Sequence, residues 1–133
     1  MQHEDKSIII QNWFIKVEEA LKDADVAIKN DGLSNAQNRI YYAIFYSVMA
    51  LGYSKNFVTS KHSQLLGWFN RIFIKEGVFD KSLGDTYKIA YESRMKSDYT
   101  FTYKPDKEKI VSAFKDAKIF VKTIEDFIQK EPK

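Results

Sequence analysis

The apolar positions of this chain fall into blocks at helical spacing, separated by short polar breaks. In residues 8–31, Ile10, Trp13, Phe14, Val17, Ala20, Leu21, Ala24, Ala27 and Ile28 recur every three or four positions, which puts them on one stripe of an amphipathic helix. Lys16, Glu18, Lys22 and Asp25 lie off that stripe, and Asn30-Asp31-Gly32 reads as a C-cap. Ser34 with Gln37 three residues on has the form of a capping box and opens a second helix over residues 35–52. That segment is apolar or aromatic almost all round, from Ile40 to Met49, so it belongs at the centre of the fold, and Gly52 closes it.

Thr59 or Ser60 is placed to cap a third helix, with Leu65, Leu66, Trp68, Phe69, Ile72 and Phe73 facing inward and Glu76-Gly77 ending it. A fourth helix, over 81–95, carries Leu83, Tyr87, Ala90, Tyr91 and Met95 at steps of three and four. Residues 97–105 alternate small polar and aromatic side chains; a lone strand would have no partner here, so they read as an extended loop. Pro105 at a first helical position, with Asp106 and Glu108 on the positive end of the dipole, opens the last helix. Its stripe is Ile110, Ala113, Phe114, Ala117, Phe120, Val121, Ile124, Phe127 and Ile128. The pattern predicts an all-α fold, a five-helix up-and-down bundle forming one domain over 7–130, with disorder confined to 1–6 and the last few residues.

Composition narrows the chemistry. A chain of 133 residues can bury a core without staples. It has no cysteine and two histidines, His3 near the terminus and His62, so thiol chemistry is excluded and any catalysis draws on His62, carboxylates, Tyr, Lys, Arg or the backbone. Asp80 and Asp85 lack a clustered set of companions, so neither a metal nor another cofactor is expected. The start, MQHEDKS, has acids and no apolar run, and the apolar stretch 40–51 is well short of the roughly 20 residues that span a bilayer. No membrane association and a cytoplasmic location are the expectation.

The net charge of +3 is too small for a protein that coats nucleic acid. Its distribution is uneven: residues 54–75 hold Lys55, Lys61, Arg71 and Lys75 without a single acid. The chain has only three arginines, Arg39, Arg71 and Arg94, and guanidinium is the better buried or phosphate-clamping cation.

Three places depart from plain bundle design. Arg39 stands with Tyr41, Tyr42 and Tyr46 inside the most apolar helix, where a cation and phenols need partners; an internal salt bridge, a polar pocket and a subunit interface all answer that need. Thr59-Ser60-Lys61-His62-Ser63 gathers hydroxyls, a lysine and helix-start N–H groups, the chemistry either of a capped surface helix or of an anion site. Positive surroundings are expected to keep His62 neutral at pH 7. Arg94 and Asp98, at i and i+4, can pair, and Tyr99, Phe101 and Tyr103 beside them offer stacking surfaces for a base.

Taken together these motifs resemble a HEPN domain. The pattern A-x-x-R-x-Y-Y-A-x-F appears from Ala36 to Phe45, S-K-H-S at 60–63, and R-x-x-x-D-Y at 94–99. The resemblance covers roughly residues 8–129 and implies a small helical bundle, a homodimer with polar sites near the subunit interface, and often a nucleotidyltransferase partner. In ribonuclease members, an Arg followed four to six residues later by His cleaves RNA, Arg stabilising phosphorane charge while His moves the proton of the 2′-hydroxyl. This chain keeps Arg94 but has Asp98 and Tyr99 where that His would fall, and Tyr46 where relatives often carry His.

The resemblance therefore implies a non-catalytic module that binds a nucleotide, RNA or a nucleotidyltransferase, in a toxin-antitoxin-like or defence setting, through Arg39, Tyr42, Tyr46, Lys61, His62, Arg94, Asp98 and Tyr99. Two alternatives stand beside it. One is a divergent metal-independent ribonuclease using Arg94 with His62, which requires folding to bring the two together. The other is a purely structural dimer with an Arg39–Asp98 ion pair.

Overall fold

The computed structural model describes residues 3–99 and 104–131, with side chains at all of these except 3, 4, 98 and 99. Among them the chain forms α1 (His3–Lys29), α2 (Leu33–Ser54), α3 (His62–Phe69) with a π-helical turn at Asn70–Ile74, α4 (Lys81–Tyr99) and α5 (Lys107–Lys130), and no strand. The all-α bundle expected from the periodicity is the fold observed. The predicted central helix is the central one: α2 packs against α1, α3, α4 and α5, while the long α1 and α5 also touch each other.

The stripes are the core. Val17, Ala20, Ala24 and Ala27 of α1, Ile110, Ala117, Phe120, Val121 and Ile124 of α5, and most of α2 are buried. At one end Phe69, Phe73, Phe79, Tyr87, Phe120 and Phe127 form a ring cluster with centroids 5.0 to 6.0 Å apart, the offset and edge contacts that aromatic quadrupoles favour.

Helix ends differ from the sequence reading in instructive ways. α1 does close at 30–32, but Asp31 takes the left-handed position (φ 57°) while the N–H groups of Gly32 and Asp31 donate to the Ala27 and Ile28 carbonyls at 2.8 and 3.1 Å; this is a Schellman closure with aspartate in glycine's usual place. α2 starts one position ahead of Ser34, at Leu33, with Gly32 as N-cap and no side chain capping it. α2 also runs past Gly52 to Ser54. Lys61, rather than Thr59 or Ser60, is the N-cap of α3; the Thr59 hydroxyl accepts from the Lys61 N–H at 3.1 Å and donates to the Gln64 side chain at 2.7 Å, bracing the approach to the helix. Pro105 precedes α5 without entering it, because Asp106 accepts from the Glu108 N–H and is the cap.

Two corrections concern the course of the backbone. Ile72, predicted to face inward, is 40% exposed while its neighbour Phe73 is buried. The π turn, closed by a 2.8 Å bond from the Lys75 N–H to the Asn70 carbonyl, is wider than an α turn and rotates the following side chains out of the α-helical stripe. In addition, α4 continues to Tyr99, so residues 97–99, expected in an extended loop, are helical; Phe101 and Tyr103 lie outside the described residues, and so do the side chains of Asp98 and Tyr99.

Among the described residues the Tyr87 hydroxyl is sealed in the core with no hydrogen-bond partner, and burial pushes its phenol well above the ordinary tyrosine range. Tyr87→Phe keeps the ring and removes a desolvated hydroxyl, a change expected to stabilise the fold by about 1 kcal/mol, or roughly 3 to 5 °C in melting temperature for a domain of this size. A lower melting temperature on thermal unfolding would show instead that the hydroxyl is satisfied, for example by a bound water.

Candidate phosphate site

The site forms where three helices converge. α2 supplies Tyr41, Tyr42 and Phe45; Tyr41 and Phe45, one turn apart, present stacked rings with centroids 5.9 Å apart on one face. α3 begins at His62, and its first side chain lands on that face. The His62 ring stacks on Phe45 at 4.1 Å and 8°, and stands nearly perpendicular to Tyr42 at 5.8 Å and 85°. Its Nδ1 lies 2.7 Å from the Tyr41 hydroxyl. α4 contributes Arg94, whose guanidinium carbon is 5.2 Å from the Tyr41 ring centre and 5.3 Å from that of Tyr42, and Tyr91, 6.0 Å from Tyr41.

His62 and Arg94 therefore share one pair of aromatic rings within a single chain. The Arg94 guanidinium sits at a distance from both tyrosine rings at which the negative faces of the π systems attract a cation. The consequences for protonation are consistent. The His62 pKa is lowered, first by burial and then by the Arg94 charge, so the imidazole is neutral at pH 7. The sequence reading anticipated that direction; burial, rather than the surrounding charge, is the larger cause. Burial also holds the Tyr41 phenol far above the ordinary tyrosine range, with Arg94 partly offsetting it, so Tyr41 keeps its proton.

The other expected residues take different places. The Arg39 guanidinium lies 5.0 Å from the Tyr42 ring centre and donates to the Asn38 side chain from Nε at 3.0 Å and from a terminal nitrogen at 2.6 Å; it joins the site through Tyr42. Tyr46 packs on Trp13 at 5.7 Å with Lys16 over its ring at 5.6 Å, so it faces α1 and reaches the site through the rings of Tyr42, 5.5 Å away, and Phe45, 6.0 Å away. Lys61 is exposed at the start of α3, beside His62. Whether Asp98 pairs with Arg94 or with Arg39 lies outside the described side chains, as does any part played by Tyr99.

Tyr41 stands in the sequence as one of three phenols needing partners and within the motif from Ala36 to Phe45; among the described residues it carries the one hydrogen bond to His62. The available signal was its i, i+4 relation to Phe45. Among the described residues no three His, Asp or Glu side chains come together, and Asp80 is engaged as a cap, accepting from the Ser82 N–H at 3.0 Å. Two grooves lie away from these residues: one of about 290 Å³ between α2, α4 and α5, and one of about 1000 Å³ between α1 and the end of α5. No described helix is long and apolar enough to cross a membrane.

A family profile described as HEPN domain matches residues 10–127. The chain is 39% identical to a UPF0332 protein of Thermotoga maritima over 94% of its own length and 95% of the relative's. It is 34% identical to one protein of Methanocaldococcus jannaschii named "Putative toxin", over 85% of this chain and 84% of that one, and 30% identical to a second of the same designation, over 85% and 77%.

Proposed function

The chain belongs to the HEPN domain family, and from that premise we propose that it is a toxin-type HEPN protein whose Arg94–His62 site binds a phosphate of RNA or of a nucleotide. The observation that carries this reading is the placement of Arg94 and His62 over the same two rings, Tyr41 and Tyr42. A guanidinium gives a fixed fork of donors suited to phosphate. α3 starts at His62 with no side-chain cap, so its first N–H groups are served by solvent or an anion. Arg39 and Lys61 add charge at the edge, and the tyrosine rings give a base something to stack on. The names of the archaeal relatives support the toxin setting, with the cytoplasm as its compartment. A homodimer and a nucleotidyltransferase partner enter the proposal from the HEPN resemblance.

Binding comes before cleavage because His62 is the one described imidazole of the site, and Tyr41 already occupies one of its nitrogens. Cleavage is a second reading, favoured by a neutral imidazole beside a guanidinium, the pair that a metal-independent transesterification would use.

Fluorescence anisotropy with a short single-stranded RNA at low salt tests both readings. Arg94→Gln is expected to weaken binding about tenfold, equivalent to about 1.4 kcal/mol, and to reduce the salt slope by about one. Equal affinity for the variant and the native protein would remove the site. RNA left intact in chelator by the native protein fits the binding reading; cleavage that disappears in both Arg94→Gln and His62→Ala establishes the second.

A further inference from the structure

We propose that the Tyr41 hydroxyl donates to His62 Nδ1 and so holds His62 in the tautomer with its hydrogen on Nε2, giving the site a second N–H donor beside Arg94 for a phosphate oxygen. This rests on the phosphate reading above and deepens it, because it fixes what His62 offers a ligand.

The 2.7 Å contact between the Tyr41 oxygen and Nδ1 has two forms. Either the phenol donates and Nδ1 accepts, or Nδ1–H donates and the phenol oxygen accepts; the neutral imidazole carries its hydrogen on Nε2 in the first case and on Nδ1 in the second. The surroundings of the phenol decide between them. Tyr41 is fully buried, and His62 is its one hydrogen-bond partner among the described residues. If Nδ1–H were the donor, the phenol hydrogen would be enclosed with nothing to receive it, at a cost of about 1–3 kcal/mol. The nearby phenols do not rescue that arrangement: the Tyr87 hydroxyl is buried without any partner, and Tyr91 meets Tyr41 as a tilted ring at 6.0 Å. If the phenol donates, its hydrogen is satisfied and its oxygen needs nothing further. Burial keeps that hydrogen on the phenol throughout the neutral range.

The ring is also held in place. Stacked on Phe45 and edge-on to Tyr42, the imidazole keeps Nδ1 toward Tyr41. No described group hydrogen-bonds Nε2, the nitrogen left for a ligand. Among the described side chains, the charged and titratable groups around the ring are Arg94, Tyr41 and Tyr42. A guanidinium and an Nε2–H are both donors, so a phosphate oxygen suits them and a cation or an amine does not. A neutral imidazole with hydrogen on Nε2 cannot take the proton of a 2′-hydroxyl through that nitrogen, so the same tautomer argues for holding RNA over cutting it. Tyr41 is a positioning residue in this scheme: it acts on the ligand through His62.

Nitrogen NMR of the full-length, ¹⁵N-labelled protein near pH 8 reads the tautomer directly, with a short histidine-containing peptide as the reference for an unconstrained imidazole. The expected spectrum shows His62 with an unprotonated, hydrogen-bonded Nδ1 and a protonated Nε2, and in Tyr41→Phe a tautomer mixture like that of the peptide. An Nδ1–H signature in the native protein, or a Tyr41→Phe spectrum identical to it, would overturn the proposal. Should Tyr41→Phe fail to fold, the native spectrum decides alone. This measurement needs no ligand, so a protein that shows the expected tautomer yet ignores RNA in anisotropy refutes the phosphate reading without touching the tautomer.

Discussion

Phe69→Ala is expected to remove about 3–5 kcal/mol of stability, a large share of the roughly 5–15 kcal/mol that holds a domain of this kind folded. Phe69 is fully buried and meets four rings, Phe73 at 5.8 Å, Phe79 at 6.0 Å, Tyr87 at 5.5 Å and Phe120 at 5.5 Å. These come from the π turn, the α3–α4 connection, α4 and α5, so the ring ties separate elements together and no single one can close the space it leaves. The effect extends to the site. α3 is only eight residues long, far too short to be helical on its own, and Phe69 is its last residue while His62 is its first. Leu65 and Trp68 are its other buried anchors. Urea denaturation should show a lower midpoint with an unchanged slope, and RNA affinity should fall because His62 loses its fixed position. A midpoint close to that of the native protein would mean that the cluster repacks around the gap.

What the sequence discloses follows from which physical signals leave a mark in composition. Helix periodicity does, because the core stripes of α1 and α5 are apolar and their outer faces are not, so Val17, Ala20 and Ala24, or Phe120 and Ile124, could be placed before any coordinates. The π turn at Asn70–Ile74 leaves no such mark: one shifted backbone bond carries no residue signature, and α-helical spacing carried through it puts Ile72 on the inward face. Caps were legible to within a residue or two, since Ser34, Thr59 and Pro105 all border helix starts; which polar neighbour wins, as Asp106 does, depends on local backbone angles. The site shows the sharpest limit. Arg39, His62 and Arg94 stand out by rarity, but α2 is apolar nearly all round and so has no amphipathic phase. Nothing in the order Tyr41-Tyr42 states which phenol bonds His62 and which also bridges toward Tyr46 and α1. Packing of the other helices around α2 decides it, and gives the His62 bond to Tyr41.

Gly52→Ala is expected to destabilise the protein by about 3 kcal/mol, the opposite of what helix propensity alone would give. Gly52 lies within α2 with an ordinary helical backbone, where replacing glycine by alanine normally gains up to about 1 kcal/mol. Here the added methyl would overlap the Phe57 carbonyl oxygen, a backbone atom that cannot swing aside as a side chain would. That close approach is built into the α2–α3 connection: the Gly52 carbonyl accepts from the N–H groups of Lys55 at 3.0 Å and Phe57 at 2.8 Å, and Asn56 between them takes a left-handed conformation (φ 63°). The chain then continues to Lys61 and His62. Phe57 itself lies flat on Trp68 of α3, 4.7 Å and 2°, so moving its backbone to admit a methyl pulls a stacked ring from the helix that carries His62. Two effects should therefore appear together: a lower melting temperature in thermal unfolding, and loss of the constrained His62 nitrogen signals toward those of a free histidine peptide. A melting temperature equal to or above the native value would show that residues 55–61 yield at little cost; the register of α3, and with it the position of His62, would then be set by the ring contacts of Phe69 and Trp68 alone.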